Sequence, residues 1–427
     1  MNIHYYWQAG PAQLLRNLVL FYTDFERPMG GVFYTLLYRA FGLNPLPYHA
    51  VIAALLLLNC LLAFRFARLL SGSFLTAALA TMPLAFHPRM AQLAYLPSYV
   101  FDVLCFTFFA AALSYYLSIR STGRPLSWRQ TLLFLTLYVA ALESKEMAVT
   151  LPLLALLYEA LFHPPVTRQD LWRRLTPSLL AGLLTAVFLL GKALGPDSLL
   201  KMDAYRPLLT WQRYAQSSTR FLDILFIGAI PRSMLLPAVL LLLASAVVLL
   251  FTRGCRNDLR WLLCFVCITP LPVAFIPARE GGCLYIPLLG WALLAASAVF
   301  WLCARLQTYS RFALPLVLMA AAAGYWVRVE RESRRTVPSL LAPGRLTTSV
   351  LSQVRSLQPT VPHGSRIYVV HDPFQLWDAK FLFELHYGDP SVSVALGRLT
   401  PLPPRDVASM DYVFTFDGGR LVRLKSP

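Results

Sequence analysis

The chain has 427 residues, 57% of them hydrophobic and only 14% charged. An ordinary soluble domain carries about a quarter charged residues, so this chain lacks the charge to cover a water-facing surface. Lys and Arg number 38 against 21 Asp and Glu, a net charge of +17. No Lys/Arg tract with interleaved aromatics appears, so the excess reads as basic cytoplasmic loops of a membrane protein and not as a nucleic-acid surface.

The first residues, 1–7, are polar and aromatic and lack the basic start and apolar stretch of a signal peptide. Apolar runs then recur at residues 51–64, 101–117, 131–141, 179–190, 235–251 and 284–303. A helix needs about 17–25 such residues to cross roughly 30 Å of hydrocarbon. One run alone could be a buried core helix. A series of this length predicts an all-α polytopic membrane domain over residues 1–329, with about 10–11 hydrophobic helices. The seven Cys lie mostly inside the apolar runs; Cys264 and Cys267 have no two further zinc ligands nearby and read as packing residues.

Arginine placement orients the helices. Arg65 and Arg68, then Arg120, Arg124 and Arg129, then Arg168, Arg173 and Arg174, then Arg253, Arg256 and Arg260, then Arg305 and Arg311 each follow a span. With these loops cytoplasmic, the N-terminal segment and residues 87–98, 143–146, 192–213 and 277–283 face outward. Segment 214–230 is apolar enough to span, but a crossing there would invert every later loop, so a re-entrant or interfacial helix is expected. Residues 312–327 then exit outward, which makes the C-terminal region extracytoplasmic and leaves Arg328, Arg331, Arg334 and Arg335 against the rule.

From Glu330 the composition becomes that of a small soluble α/β domain, 330–427. Residues 346–357 have amphipathic helical spacing, 367–370 read as a buried strand and 378–386 as a helix. Residues 412–416 and 421–424 flank Asp417-Gly418-Gly419-Arg420, a hairpin signal because glycine tolerates positive φ.

Chemistry concentrates in residues 131–162, where Glu143, Lys145 and Glu146 interrupt an apolar run. Each would cost about 2.5–3.5 kcal/mol at a bilayer centre. The helix from Thr131 to Leu142 rises only about 18 Å, too little to carry them across the hydrocarbon. They therefore line a wet cavity recessed below the outer surface, or form a Lys–Glu pair joining two short helices; the two are compatible. Asp102 lies one turn inside its helix, costly unless used or paired. Asp24 and Glu26 precede Arg27-Pro28 and are either solvated loop charges or a base.

Glu143-Ser144-Lys145-Glu146 through Thr150-Leu151-Pro152, followed by Tyr158, resembles the S-K-E-x-x-x-T-L-P signature of the large GT-C membrane glycosyltransferases. The likeness is to the membrane portion of the tetratricopeptide-repeat O-mannosyltransferases and their bacterial relatives, although the chain carries no such repeat itself. Arg27-Pro28 with Phe41-Gly42 through Tyr48-His49, Phe86-His87-Pro88 and Leu284-Tyr285-Ile286-Pro287 resemble three further segments of that family in the same order. The resemblance implies an enzyme that takes a sugar from a polyprenyl-phosphate carrier, in the bacterial inner membrane, and passes it outside the cytoplasm to a protein or glycan acceptor. Cations would stabilise the departing lipid phosphate, with Arg27, His87, Arg89, Lys145 and Arg279 as candidates. A carboxylate among Asp24, Asp102, Glu143 and Glu146 would be the general base, and a divalent cation, Mg or Mn, is a further expectation.

The chain also departs from the family. Its acidic pair in the first outward loop would lie before His4, so either the true start lies upstream or the base is lost. Gln92 stands for the usual Glu, Val100 for the usual Arg, and glycine for the Glu-Arg before Leu284, with Arg279-Glu280 displaced upstream. Two competing readings follow: a transporter or flippase of a lipid-linked or anionic substrate, which intramembrane charges and broken helices also suit, and a catalytically degenerate scaffold.

Overall fold

The structure, a computed structural model, describes residues 1–20, 27–164, 167–194, 198, 201, 203, 205–251, 256–277, 279, 281–306 and 313–426. They form two compact units, one of Arg16–Gly30 with Tyr48–Val337, the other of Met1–Leu15 with Gly31–Pro47 and Pro338–Pro427.

The chain opens with α1 (Asn2–Leu20), α2 (Pro28–Phe41), α3 (Pro45–Ser71), α4 (Phe74–Phe86) and the short α5 (Gln92–Tyr95). Then come α6 (Val100–Arg120), α7 (Trp128–Ser144), α8 (Leu151–Phe162), α9 (Arg168–Leu194) and α10 (Trp211–Leu225). Next follow α11 (Arg232–Phe251), α12 (Asn257–Ile268), α13 (Leu271–Ala274), α14 (Tyr285–Leu306) and α15 (Ala313–Leu357). Among the described residues five segments are long and apolar enough to cross a bilayer: Pro45–Ser71, Pro97–Arg120, Arg168–Leu194, Arg232–Leu249 and Gly281–Cys303. This is an integral membrane protein with an all-α polytopic body. Other hydrophobic segments of the sequence form shorter helices; α4 has 13 residues and α8 and α12 have 12 each.

Helix α6 lies at the centre of the larger unit. The apolar window of Pro97–Arg120 is 83% buried, because α6 is apolar on every face and meets α7, α8 and α14. Phe106 packs on Tyr285 at 4.4 Å and Tyr116 on Phe134 at 5.2 Å. Buried Asn59 of α3 donates to the Val103 carbonyl at 3.0 Å and accepts from Thr107 at 2.6 Å, so its amide is not stranded in the apolar interior. At the far end of α6, fully buried Arg120 grips Glu159 of α8 through two hydrogen bonds of 2.6 and 2.7 Å, and Tyr116 donates a third to the same carboxylate.

The expected interfacial segment is α10, 15 residues long and one-sided, with Phe221, Leu222 and Leu225 buried. At about 1.5 Å per residue it is too short to cross. It ends at Leu225, and Ile227 and Gly228 follow in the left-handed region with φ of 54° and 64°.

Helix α15 is continuous for 45 residues and runs through position 330 without a break, carrying Pro338 and Pro343; from Pro338 onward it belongs to the second unit. Its last turns bury Val350 and Val354 against a four-stranded sheet. The strands are β1 (Arg366–Val369), β2 (Ser393–Leu396), β3 (Tyr412–Asp417) and β4 (Arg420–Lys425), in the order β2-β1-β3-β4. Strand β1 pairs in parallel with β2 and β3, and β3 pairs antiparallel with β4 through the expected hairpin at Gly418-Gly419, where φ is 52° and 82°. Helix α16 (Asp378–Tyr387) makes the β1–β2 crossover, and α17 (Pro404–Ala408) precedes β3. Residues from the start of the chain complete this unit. His4 meets Glu384 at 2.5 Å, the Tyr38 hydroxyl donates to the Leu385 carbonyl at 2.8 Å, and Gly31 leaves room for Tyr6 and Leu14. Burial lowers the His4 imidazole below its ordinary range, against the pull of the Glu384 carboxylate, which raises it.

Candidate functional site

The site is built around a broken helix. Helix α7 ends at Ser144; Lys145 takes an extended conformation (φ −166°, ψ 150°), and Glu146–Thr150 form a 3-10 turn leading into α8. Pro152 sits in the first turn of α8, where its missing N–H costs nothing. The break sends two consecutive side chains to different partners. Lys145 Nζ donates to Asp102 Oδ1 at 2.6 Å, while both oxygens of Glu146 are held by Arg27, at 3.2 Å from Nε and 2.8 Å from Nη2. Asp102 comes from the first turn of α6, and Arg27 from the residue before α2. The Arg27 guanidinium also lies 5.4 Å from the centroid of the Phe101 ring. Gly30 allows this close start of α2, because a Cβ there would run into Phe101.

These groups share a cavity of about 320 Å³ lined by Arg27, Tyr99, Lys145, Glu146, Tyr205 and Arg279, with Met147, Pro272, Val273, Ile276 and Cys283 completing the wall. Cys283 Sγ accepts from Lys145 Nζ at 3.5 Å, and the Arg279 guanidinium stacks 4.2 Å from the Tyr205 ring centroid. Three cations (Arg27, Lys145, Arg279) therefore face two carboxylates (Asp102, Glu146), an excess suited to one bound anion.

Charge pairing overrides burial here. Burial alone would raise the Glu146 carboxyl, but Arg27, with Lys192 further off, holds it down to about 2. Burial would likewise lower the Lys145 ammonium, yet the neighbouring Asp102 carboxylate keeps it above its ordinary range. Both residues lie in the connection between α7 and α8, and both stay charged at neutral pH.

Of the residues singled out in the sequence, Arg27, Lys145, Glu146 and Arg279 line this cavity, and Asp102 is bonded to it through Lys145. Glu143 is buried in the last turn of α7, outside the lining, with Oε1 unbonded among the described residues. His87 is buried too, and its Nε2–H donates to the Leu225 carbonyl at 3.1 Å. Burial drops its imidazole to about 4, so it carries no positive charge for a phosphate at neutral pH. Arg89 faces a different cavity, bonded to Asp223 at 2.7 Å and Glu332 at 2.9 Å. Asp24 and Glu280 lie outside the described residues.

The sequence signalled Tyr99, Gly281, Gly282 and Cys283 poorly. A Cβ on Gly281 would strike the Arg89 carbonyl oxygen, and one on Gly282 would lie 2.5 Å from the Tyr99 ring and 3.4 Å from Asp102 Cγ. No Glu-Arg pair could stand there with these neighbours in place. With its amide oxygen turned toward them, Gln92 accepts from the Gly281 and Gly282 N–H groups at 3.2 and 2.9 Å, fixing this segment beside Asp102. The sequence marked Gln92 and both glycines only as departures.

Among the described residues no three of His, Cys, Asp and Glu gather as a ligand set, and the two carboxylates of the site already face Lys145 and Arg27.

No protein-family model matches the chain, and no curated protein matches it. Among solved structures it is similar to ArnT from Cupriavidus metallidurans, crystallised with undecaprenyl phosphate, at 14% identity and a TM-score of 0.48, over 91% of this chain and 82% of that one. A likeness of that degree transfers no residue roles.

Proposed function

We propose that the protein is a membrane glycosyltransferase that moves a sugar from a polyprenyl-phosphate carrier to an acceptor hydroxyl on the extracytoplasmic side, as the GT-C resemblance of its motifs implies. The observation that carries this reading is the convergence of Arg27, Lys145, Glu146 and Arg279, from distant parts of the chain, at one cavity, with Asp102 bonded to Lys145. The donor's head group stays at membrane level, so its chemistry needs a polar cavity within a largely apolar body.

In the proposed reaction the acceptor oxygen attacks the anomeric carbon from the face opposite the phosphate. A new C–O bond forms as the bond from that carbon to the phosphate oxygen breaks, inverting the centre. The acceptor proton passes to a carboxylate, and the polyprenyl phosphate leaves as an anion. Lys145 and Arg279, with Arg27 behind them, offset the charge that develops on the phosphate. Asp102 is the better base. Glu146 has both oxygens engaged by Arg27, whereas among the described residues Asp102 is engaged through Oδ1 alone. Glu146 then positions Arg27. The bilayer, a lipid-linked donor and a protein or glycan acceptor are the partners this reading requires.

The test is donor turnover. Purified protein in lipid nanodiscs, supplied with a polyprenyl-phosphate sugar and candidate acceptors, should release polyprenyl phosphate in step with glycosylated product. Donor that crosses between leaflets of proteoliposomes uncleaved would instead support the transporter reading. Donor that binds and is neither cleaved nor moved would support a degenerate scaffold.

A further inference from the structure

The larger unit contains a second, bigger cavity, about 640 Å³, that the transfer reaction does not use. Its lining includes Arg89, Arg328, Arg331, Glu332 and Arg335, four cations against one carboxylate, so the lined charge is +3 by simple subtraction. Glu332 and neighbouring Asp223 both bond to Arg89. Arg328, Arg331 and Arg335 form no ion pair among the described residues, in contrast to Arg334, which bonds Glu330 at 2.7 Å. The spacing of 328, 331 and 335 places all three on one face of α15. They begin where a stretch without charge, residues 313–327, ends in Tyr325-Trp326-Val327, the aromatic-then-basic order of a membrane–water boundary.

Three guanidiniums on one concave surface, with no ion-pair partner among the described residues, present converging N–H donors that a single anion can share. Planar guanidiniums bind phosphate oxygens through paired N–H donors better than they bind any singly charged halide. The volume lies within the range of small-molecule sites, about 300–1,000 Å³. Gly228 keeps the wall open, because its Cβ position is already 3.4 Å from an Arg89 nitrogen. The cavity adjoins the first one through backbone: the Arg89 carbonyl sits where a Cβ of Gly281 would be, and Cys283, two residues on, lines the Lys145 cavity.

We propose that this cavity is a second anion site, binding a phosphate-bearing group through Arg328, Arg331 and Arg335 with Arg89 at its base, separately from the Lys145 cavity. Membrane lipid headgroups and soluble phosphates share that chemistry. The site needs no turnover to be read, so its failure would leave the transfer proposal standing, and the reverse holds.

The test uses the full chain purified in neutral detergent, with inorganic pyrophosphate and micellar phosphatidic acid as probes and phosphatidylcholine as the control. At least one phosphate probe should bind saturably and the control should not. The Arg328→Gln/Arg331→Gln/Arg335→Gln variant should weaken that binding roughly tenfold or more, as loss of charged hydrogen bonds implies. The matching triple Lys variant should retain most of it, and Lys145→Ala should not change it. Binding of both probes assigns the phosphate group itself, and binding of phosphatidic acid alone assigns a lipid headgroup. All three arginines are exposed, so removing them should leave the thermal unfolding profile in place. Unchanged affinity in the triple Gln variant, loss of the binding in Lys145→Ala, or no binding of either probe would overturn the proposal.

Discussion

Helix α6 carries a buried ion pair at each end, and the two pairs do different things. At its C-terminal end Arg120 and Glu159 are closed in by packing, with side-chain exposures of 1% and 3% and a third bond from Tyr116. At its N-terminal end Asp102 meets Lys145 beside an open cavity, where Lys145 keeps 13% exposure and Arg27, Glu146, Tyr205 and Arg279 share the wall. Residue types, distances and host helix are alike. A cation and a carboxylate inside a membrane protein therefore do not by themselves mark a site; room for a reacting molecule beside them does.

That contrast orders the expected effects of substitution. Asp102→Asn should lower kcat for sugar transfer by about 10²–10⁴-fold with little change in KM, the range for loss of a general base. Single-turnover and steady-state assays on the folded variant would show it, and wild-type kcat would break the distinction. Lys145→Met should cost about 10²–10³-fold in kcat, as for the loss of a donor to a developing anion. Arg120→Ala should do the opposite. It leaves Glu159 buried without a partner and should destabilise the fold by about 3–5 kcal/mol, seen as a lower thermal midpoint and less monodisperse protein, with transfer per folded molecule unchanged. Arg279→Ala, which loses a stacked cation at the cavity wall, should raise KM for the donor roughly tenfold.

The smallest effect concerns pH. The Glu146 carboxyl is held at about 2, below its ordinary 4.5. Its contribution to stability is complete above 4.5 and is lost as pH falls from there toward 2, because the unfolded chain takes up the proton first. Glu146→Gln should flatten that part of an acid-unfolding curve and leave the profile above pH 5 alone, measured by tryptophan fluorescence in detergent.

The fold was legible where one physical signal dominates. Apolar runs too many in series for a soluble core announced the membrane helices, and Gly418-Gly419 announced the hairpin. Strand β2 was missed because Ser393–Leu396 is four residues long and lacks a strong β-branched run. The joining of Met1–Leu15 with the C-terminal sheet was illegible as well, since contacts such as His4 with Glu384 span 380 positions. In the candidate site, Glu143, Lys145 and Glu146 stood out because charge in an apolar run is expensive. What the sequence could not give was the pairing. Lys145 and Glu146 are neighbours, and only the extended backbone at Lys145 sends one to Asp102 and the other to Arg27. His87 looked equally polar and equally placed, yet its Nε2–H is turned to the Leu225 carbonyl and away from the Lys145 cavity lining.

A structure of the protein with a polyprenyl-phosphate sugar bound would test the central claim most directly. The account predicts the donor phosphate within hydrogen-bonding distance of Lys145, Arg27 or Arg279, with the anomeric carbon toward Asp102. A phosphate seated elsewhere, among Arg328, Arg331 and Arg335 or on the outer face of the helices, with the Lys145 cavity vacant, would contradict it.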